Sequence, residues 1–236
     1  MGFDLLYEEG ACLVVGKPAG LLTQAPPGID SIEARVKQFL KGRYAKPGNV
    51  YLGIIHRLDR PVTGAMVFAR HVRAARRLCE QFEARSVRKT YWAIVEGTVF
   101  LDEGEWRDTM RKVPNEARAE RVPATAADAR EAVLRFRVVR RDASTSLLEI
   151  ELDTGRMHQI RLQASSRGHA ILGDHLYGSR RGFGPETAEA RERAIALHAR
   201  RLQFVHPMTR DPVDVTAPLP TYWPRLDTEP DRPVRS

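Results

Sequence analysis

The chain has two cysteines, Cys12 and Cys79, in 236 residues, which excludes a disulfide framework and a cysteine-rich zinc site. A reducing cytoplasm is the compartment this implies. No apolar run approaches membrane-spanning length, and the amino terminus lacks the basic start and long apolar core of a secretory leader. Met1-Gly2 could open a myristoylation signal, but Leu6 stands where that signal wants Ser or Thr. Acid is also in deficit: 30 Asp and Glu against 38 Lys and Arg leave a formal charge of +8. Such an excess biases partners toward polyanions (RNA, DNA or an anionic membrane surface) without defining a fold. The expectation is a soluble, cytoplasmic, monomeric protein, and 42% hydrophobic residues suffice for one globular domain with a full core, or for two small ones.

A phosphate-binding loop is missing too. Gly10 to Lys17 comes nearest, but five residues separate Gly10 from Gly16, and Pro18 follows Lys17 where a magnesium-holding Ser or Thr is needed. Ala11 to Val15 reads instead as a strand, paired with Leu5-Leu6-Tyr7 across Glu8-Glu9-Gly10. Lys17-Pro18-Ala19-Gly20 is a turn. Ile32, Val36 and Leu40 recur at four-residue spacing behind a Ser31 cap, which predicts a helix over 31–42.

Residues 54–70 then place one acid, Asp59, between Arg57 and Arg60, bracketed by Ile54-Ile55 and Ala65 to Ala69. Nearby positive charge favours an ionised Asp, although a surface turn with a local ion pair explains the same spacing. A second helix is expected over 71–85, burying Val72, Ala75, Leu78, Cys79 and Phe82. Arg73, Arg76 and Arg77 lie off that face, either solvated or tracking phosphates. Ser86 to Gly97 alternates as a strand, with Lys89, Tyr91, Ala93 and Val95 on one face.

Residues 98–131 mix both charges with Pro114, Pro123 and many alanines, which predicts loops on the surface. Val133 to Val139 and Leu147 to Leu152 are strands. A helix from about Met157 to Arg167 should stop at Gly168. A Gly- and Arg-rich loop over 179–186 leads into a helix-like stretch with Ala190, Ala194, Leu197 and Arg201, then a strand and turn within 202–215. The expected organisation is one catalytic domain over 1–225 and a flexible tail over 226–236.

Three separated segments carry the chemistry: His56-Arg57-Leu58-Asp59, Arg88-Lys89-Thr90-Tyr91, and Thr154-Gly155-Arg156-Met157-His158-Gln159-Ile160-Arg161. Together they offer one carboxylate, a strand tyrosine and a distant arginine, with neither a paired carboxylate nor metal-ligand spacing. That set suggests covalent catalysis by one Asp. His158, His169, His175, His198 and His206 fit no zinc pattern. A kinase catalytic loop fails because Leu58 separates Arg57 from Asp59 and no glycine-rich loop accompanies it. A base-excising glycosylase would need a water-activating group that the sequence does not offer.

The ordered series resembles the RluA-type pseudouridine synthases over nearly the whole chain. It runs from Leu13-Val14-Val15 and Lys17-Pro18-Ala19-Gly20-Leu21 through the three segments. Ile171-Leu172-Gly173-Asp174, Tyr177-Gly178, Leu197-His198-Ala199, Phe204-Val205-His206-Pro207 and Ala217-Pro218-Leu219-Pro220 complete it. The resemblance implies an α+β fold, a mixed and mostly antiparallel sheet flanked by helices. It also implies isomerisation of uridine to pseudouridine in ribosomal or transfer RNA, with no cofactor or metal. The family's nucleophilic Asp falls on Asp59, its base-packing tyrosine on Tyr91, and the arginine paired with the Asp on Arg161. Arg57 matches an arginine associated with the flipped-out nucleotide, and His56, Lys89 and Arg60 are expected at the substrate. Val62-Thr63-Gly64 stands where Thr-Ser-Gly is usual, and Met157 replaces a usual Thr. The small S4 RNA-binding domain of several relatives has no counterpart here, so target choice is expected to rest on this domain or on a partner. The alternative is an RNA-binding protein of the same fold without activity; the retained Asp59, Tyr91 and Arg161 argue against it.

Overall fold

The structure, a computed structural model, describes residues 2–225, so the tail expected over 226–236 lies outside the described residues. The chain opens with a hairpin of β1 (Asp4–Glu9) and β2 (Cys12–Lys17). Helix α1 (Ile32–Arg43) follows, its first turn capped by the Ser31 hydroxyl accepting from Ala34 N–H, with Ile32, Val36 and Leu40 buried. Next come β3 (Gly53–Ile54), β4 (Thr63–Ala69), α2 (Val72–Glu83) and β5 (Arg88–Glu96). An antiparallel arm is built from β6 (Glu103–Lys112), β7 (Ala119–Arg121), β8 (Arg130–Arg141) and β9 (Thr145–Leu152). Helix α3 (Gln159–Ser165), β10 (Leu197–Val205) and β11 (Pro212–Thr216) complete the α-helices and strands of the described residues.

All strands join one sheet in the order β1-β2-β4-β10-β5-β9-β8-β6-β7, with β3 on β4 and β11 on β10. Among the strand pairs of the described residues only β4–β10 is parallel, in register at Thr63 with His198 and Gly64 with Ala199. Gly64 is required there: a Cβ would lie 2.3 Å from the Ala199 carbonyl oxygen, and its φ is +117°. The mixed, mostly antiparallel sheet with helices is the α+β architecture expected from the resemblance. Every residue of β4 is buried: Ala65, Val67 and Ala69 cluster with Ala74 and Leu78 of α2, while Met66 and Phe68 fall in the core cluster that holds Ile32, Val36 and Leu40 of α1.

Four local expectations are corrected. The stretch 98–131 holds the ten-residue β6 and the short β7. Trp106 and Met110 point inward as a strand requires, but the intervening inward position is the buried Asp108, which hid the alternation. Asp108 is satisfied by Arg121 at 2.8 Å, Arg167 at 2.7 Å and Gln163 at 2.9 Å. The helix-like spacing after Ala190 gives one 3₁₀ turn over 190–192 and then strand β10. Residues 194–199 are continuously buried, and a short buried run suits strand and helix equally in periodicity. Val72 begins α2 but is 68% exposed, leaving Ala74 and Leu78 as its buried residues. Helix α3 begins two residues later than expected and ends before Gly168.

The loop 55–62 is strapped from behind by the turn after β2. Buried Lys17 donates from Nζ to the carbonyls of Pro18 (2.8 Å), Leu21 (2.7 Å) and Arg60 (3.1 Å). Arg60 Nε donates to Gly20 O at 2.9 Å, and Gly20 N–H returns a bond to Arg60 O. Thr23 Oγ1 donates to Leu58 O and accepts from Leu58 N–H. The residues that imitated a phosphate loop therefore act as the support of the Asp59 loop. Lys17→Met removes three hydrogen bonds and leaves the Pro18 and Leu21 carbonyls without their donor, while Arg60 O keeps the Gly20 N–H. It should lower stability by about 3 kcal/mol, read as a fall in the urea midpoint.

Candidate active site

Asp59 lies at the base of a cavity of about 430 Å³ between the 55–62 loop, β5 and the start of α3. Its side chain is 20% exposed, and its ion partner is neither neighbouring arginine. Arg161 Nη1 donates to Asp59 Oδ2 at 3.0 Å across 102 residues of sequence. The other edge of the same guanidinium grips buried Asp174, Nε to Oδ2 at 2.6 Å and Nη2 to Oδ1 at 2.9 Å. Beneath it lies the Tyr177 ring, 5.0 Å from the guanidinium carbon. Burial works against Arg161's charge, but the bonds and charges of Asp174 and Asp59 outweigh it and raise the pKa. Arg161 is thus a permanent cation shared by two carboxylates.

The approach to α3 explains why Arg161 points this way. Gln159 Oε1 accepts from the Thr154 hydroxyl at 2.7 Å and from Arg156 N–H at 3.0 Å, while its Nε2 donates to Val133 O. These bonds hold 154–158 in a loop, so the helix cannot begin at Met157. His158 takes the left-handed conformation, φ 53° and ψ 25°. Its Nε2 lies 3.5 Å from Asp59 Oδ2, and its Nδ1 lies 3.0 Å from the Tyr177 hydroxyl.

Tyr91, buried on β5, lines the cavity, and its hydroxyl has no hydrogen-bond partner among the described residues. Burial first, and then the charge of Asp59, push its pKa up, so the phenol is un-ionised in the resting site. Lys89, two residues earlier on the same face, has its pKa lowered by burial and then by Arg85. Its Nζ lies 5.8 Å from the centre of the Phe82 ring. His56 stacks on that same ring at 4.9 Å and accepts Val67 N–H on Nε2 at 3.0 Å. Arg57 is exposed and lines the cavity together with Arg156 and Met157.

Of the residues singled out in the sequence, Asp59, Tyr91, Arg161, Arg57, His56 and Lys89 converge on this cavity. Arg60 does not: its side chain turns back to Gly20 and braces the loop. Asp174, His158 and Tyr177 were not assigned to the site from the sequence. The signal available for Asp174 was an acid after an apolar Ile171-Leu172 pair, but nothing local links it to Arg161. Val62 is buried and lines the cavity, and the Thr63 hydroxyl contacts His198 Nδ1 at 2.7 Å. Among the described residues, no three His, Cys, Asp or Glu side chains converge as metal ligands would.

The chain as a whole is similar to known proteins. The family model described as RNA pseudouridylate synthase matches residues 11–166. An uncharacterized RNA pseudouridine synthase of Synechocystis sp. is 32% identical over 230 residues, 94% of this chain and 67% of that protein. The ribosomal large subunit pseudouridine synthase D of Xanthomonas campestris is 35% identical over 230 residues, covering 94% and 68%. Among solved structures, the human RNA pseudouridylate synthase domain containing 4 superposes with a TM-score of 0.76 at 25% identity. That match covers 93% of this chain and 89% of the other.

Two histidines, buried His198 and partly buried His56, make stability depend on acid. Burial, then Lys89, lowers the His56 pKa to about 3. Burial, only partly offset by the bond to Ala217 O, lowers that of His198 to about 4. The unfolded chain takes up these protons near pH 6.5 and the folded one does not, so stability falls as pH drops below 6.5. Each histidine costs about 2 kcal/mol by pH 5. Urea midpoints at pH 7 and pH 5 should show this loss, and His56→Gln, which keeps an acceptor for Val67 N–H, should reduce it by about half.

Proposed function

The chain belongs to the RNA pseudouridylate synthase family, isomerases of uridine in RNA, and from that premise we propose that Asp59 is its nucleophile and ribosomal RNA its substrate. The observation that carries the assignment is the Asp59–Arg161–Asp174 chain of ion pairs at the base of the cavity. A lone carboxylate anchored by a permanent cation, and open on one side to a nucleoside-sized cavity, suits attack on a sugar carbon.

The reaction balances without a co-reactant, because uridine and pseudouridine are isomers. A carboxylate oxygen of Asp59 bonds to C1′ and the N1–C1′ bond breaks, its electron pair staying on the uracil. The uracil turns, C5 bonds to C1′, and the Asp59–C1′ bond breaks with its pair returning to the carboxylate. C5 then loses its proton and N1 gains one. Tyr91 supplies an aromatic wall for the base. Being un-ionised, it can take the C5 proton only by handing its own to the freed carboxylate beside it. Arg57, Lys89 and Arg156 place positive charge around the cavity for the phosphates flanking an extruded nucleotide. His56, with Nε2 committed to the backbone, shapes the wall between Phe82 and β4.

Relatives named for the ribosomal large subunit support ribosomal RNA as the substrate class. The net charge of +8 suits that partner. Monomeric action in the cytoplasm is part of the same reading; among the described residues no helix is long and apolar enough to cross a membrane.

Asp59→Asn keeps the side chain's shape and removes the nucleophile. On unmodified large-subunit ribosomal RNA transcribed in vitro, it should bind within about twofold of wild type and form pseudouridine at least about 10³-fold more slowly. Pseudouridine mapping of the transcript reads the rate, and a normal rate in the variant would overturn the assignment of Asp59.

A further inference from the structure

Both contacts to the Asp59 side chain fall on the same oxygen. Arg161 Nη1 reaches Oδ2 at 3.0 Å and His158 Nε2 approaches Oδ2 at 3.5 Å, while Oδ1 has no hydrogen-bond partner among the described residues. We propose that His158 is a positioning residue for the nucleophile: together with Arg161 it holds Oδ2 of Asp59, leaving Oδ1 as the atom that attacks. This inference rests on the assignment of Asp59 as nucleophile and goes beyond it by naming the oxygen and what orients it.

The other end of the imidazole decides which nitrogen carries the proton. The Tyr177 hydroxyl accepts Ala119 N–H at 2.8 Å, so its own hydrogen is available to donate. His158 Nδ1 lies 3.0 Å away, closer than the competing Ala119 carbonyl at 3.3 Å. A hydrogen donated to Nδ1 leaves the single imidazole proton on Nε2, facing Asp59. Burial lowers the His158 pKa, in keeping with a neutral ring that donates once. The ring also stands edge-on to Tyr177, with centroids 5.7 Å apart at 88°.

The backbone conformation makes the same point. His158 is held at φ 53°, a region a residue with a Cβ rarely adopts, at the hinge between the bonded 154–157 loop and α3. From there its side chain reaches into the cavity. The 3.5 Å separation is longer than a formed hydrogen bond, and the positioning role requires the two atoms to draw together when substrate is bound. With Oδ2 held, the carboxylate cannot rotate about its Cβ–Cγ bond. When Oδ1 bonds to C1′, Oδ2 becomes the ester carbonyl oxygen and still accepts from the same donors. When C5 takes C1′, Oδ1 leaves with its electron pair into an unchanged orientation.

The test has two arms. In the free protein, ¹H–¹⁵N histidine spectra should show His158 as the neutral Nε2–H tautomer, with the resonance shifted by Asp59→Asn. An Nδ1–H tautomer, or no response to Asp59→Asn, would overturn the proposal without reference to any RNA. In the second arm, single-turnover rates and RNA dissociation constants are measured on unmodified large-subunit ribosomal RNA transcribed in vitro. His158→Asn tolerates the left-handed backbone but is too short to reach Asp59. It should keep its melting temperature and RNA affinity and lose roughly 10²-fold in rate. His158→Gln places an amide N–H near the Nε2 position and should recover at least about tenfold of that loss. A wild-type rate in His158→Asn, or a Gln variant no faster than Asn, would overturn the positioning role. If wild type fails on this RNA, the ribosomal target is wrong and the spectra alone decide the contact. If Asp59→Asn proves active, it is the nucleophile assignment that falls.

Discussion

One guanidinium, Arg161, sets the arrangement of the cavity around Asp59. It is 5% exposed, carries a charge that burial disfavours, and is stabilised only because two carboxylates and an aromatic face surround it. Asp174 takes two of its nitrogens and Asp59 the third. A buried ion pair of this kind adds little net stability, since desolvation offsets most of the attraction, but removing one partner leaves an uncompensated charge. The arrangement therefore acts mainly as a positioning device. Asp174 sets the plane of Arg161, and that plane sets where Asp59 can stand.

The rest of the fold supplies the rigidity this requires. The parallel β4–β10 contact, close enough to demand Gly64, places the loop before β4 against the strand that pairs with β5 and its Tyr91. Lys17 and Thr23 tie that loop from the other side through backbone carbonyls, which are indifferent to the side chains of the loop itself. Two neighbouring arginines consequently have unrelated tasks. Arg57 faces the cavity, whereas Arg60 secures the loop to Gly20.

Much of this was legible in the sequence. Periodicity located α1, α2 and most strands, because a single buried face imposes a spacing that survives in the residues. It failed where the buried face is not apolar, as at Asp108 in β6, and where burial is total, as at 194–199 before and into β10. The motif segments singled out Asp59, Tyr91 and Arg161, each embedded in a run of characteristic residues, and the fold brings the three to one cavity. The contact of Asp174 with Arg161 was hidden, and so were those of His158 and Tyr177, because each depends on a partner far along the chain.

What the sequence determined by itself was the inventory: one acid in an arginine-rich loop, a strand tyrosine, a distant arginine, a surplus of positive charge and the family these imply. The tertiary structure alone decided which charges meet. Asp59 could have paired with Arg57 or Arg60 next to it, yet its partner comes from α3, 102 residues away. Local spacing constrains only which side chains share a face, whereas ion pairing depends on where separate elements cross. The loop backbone, anchored by Lys17 and Thr23, turns Asp59 inward, and the left-handed turn at His158 brings Arg161 to meet it.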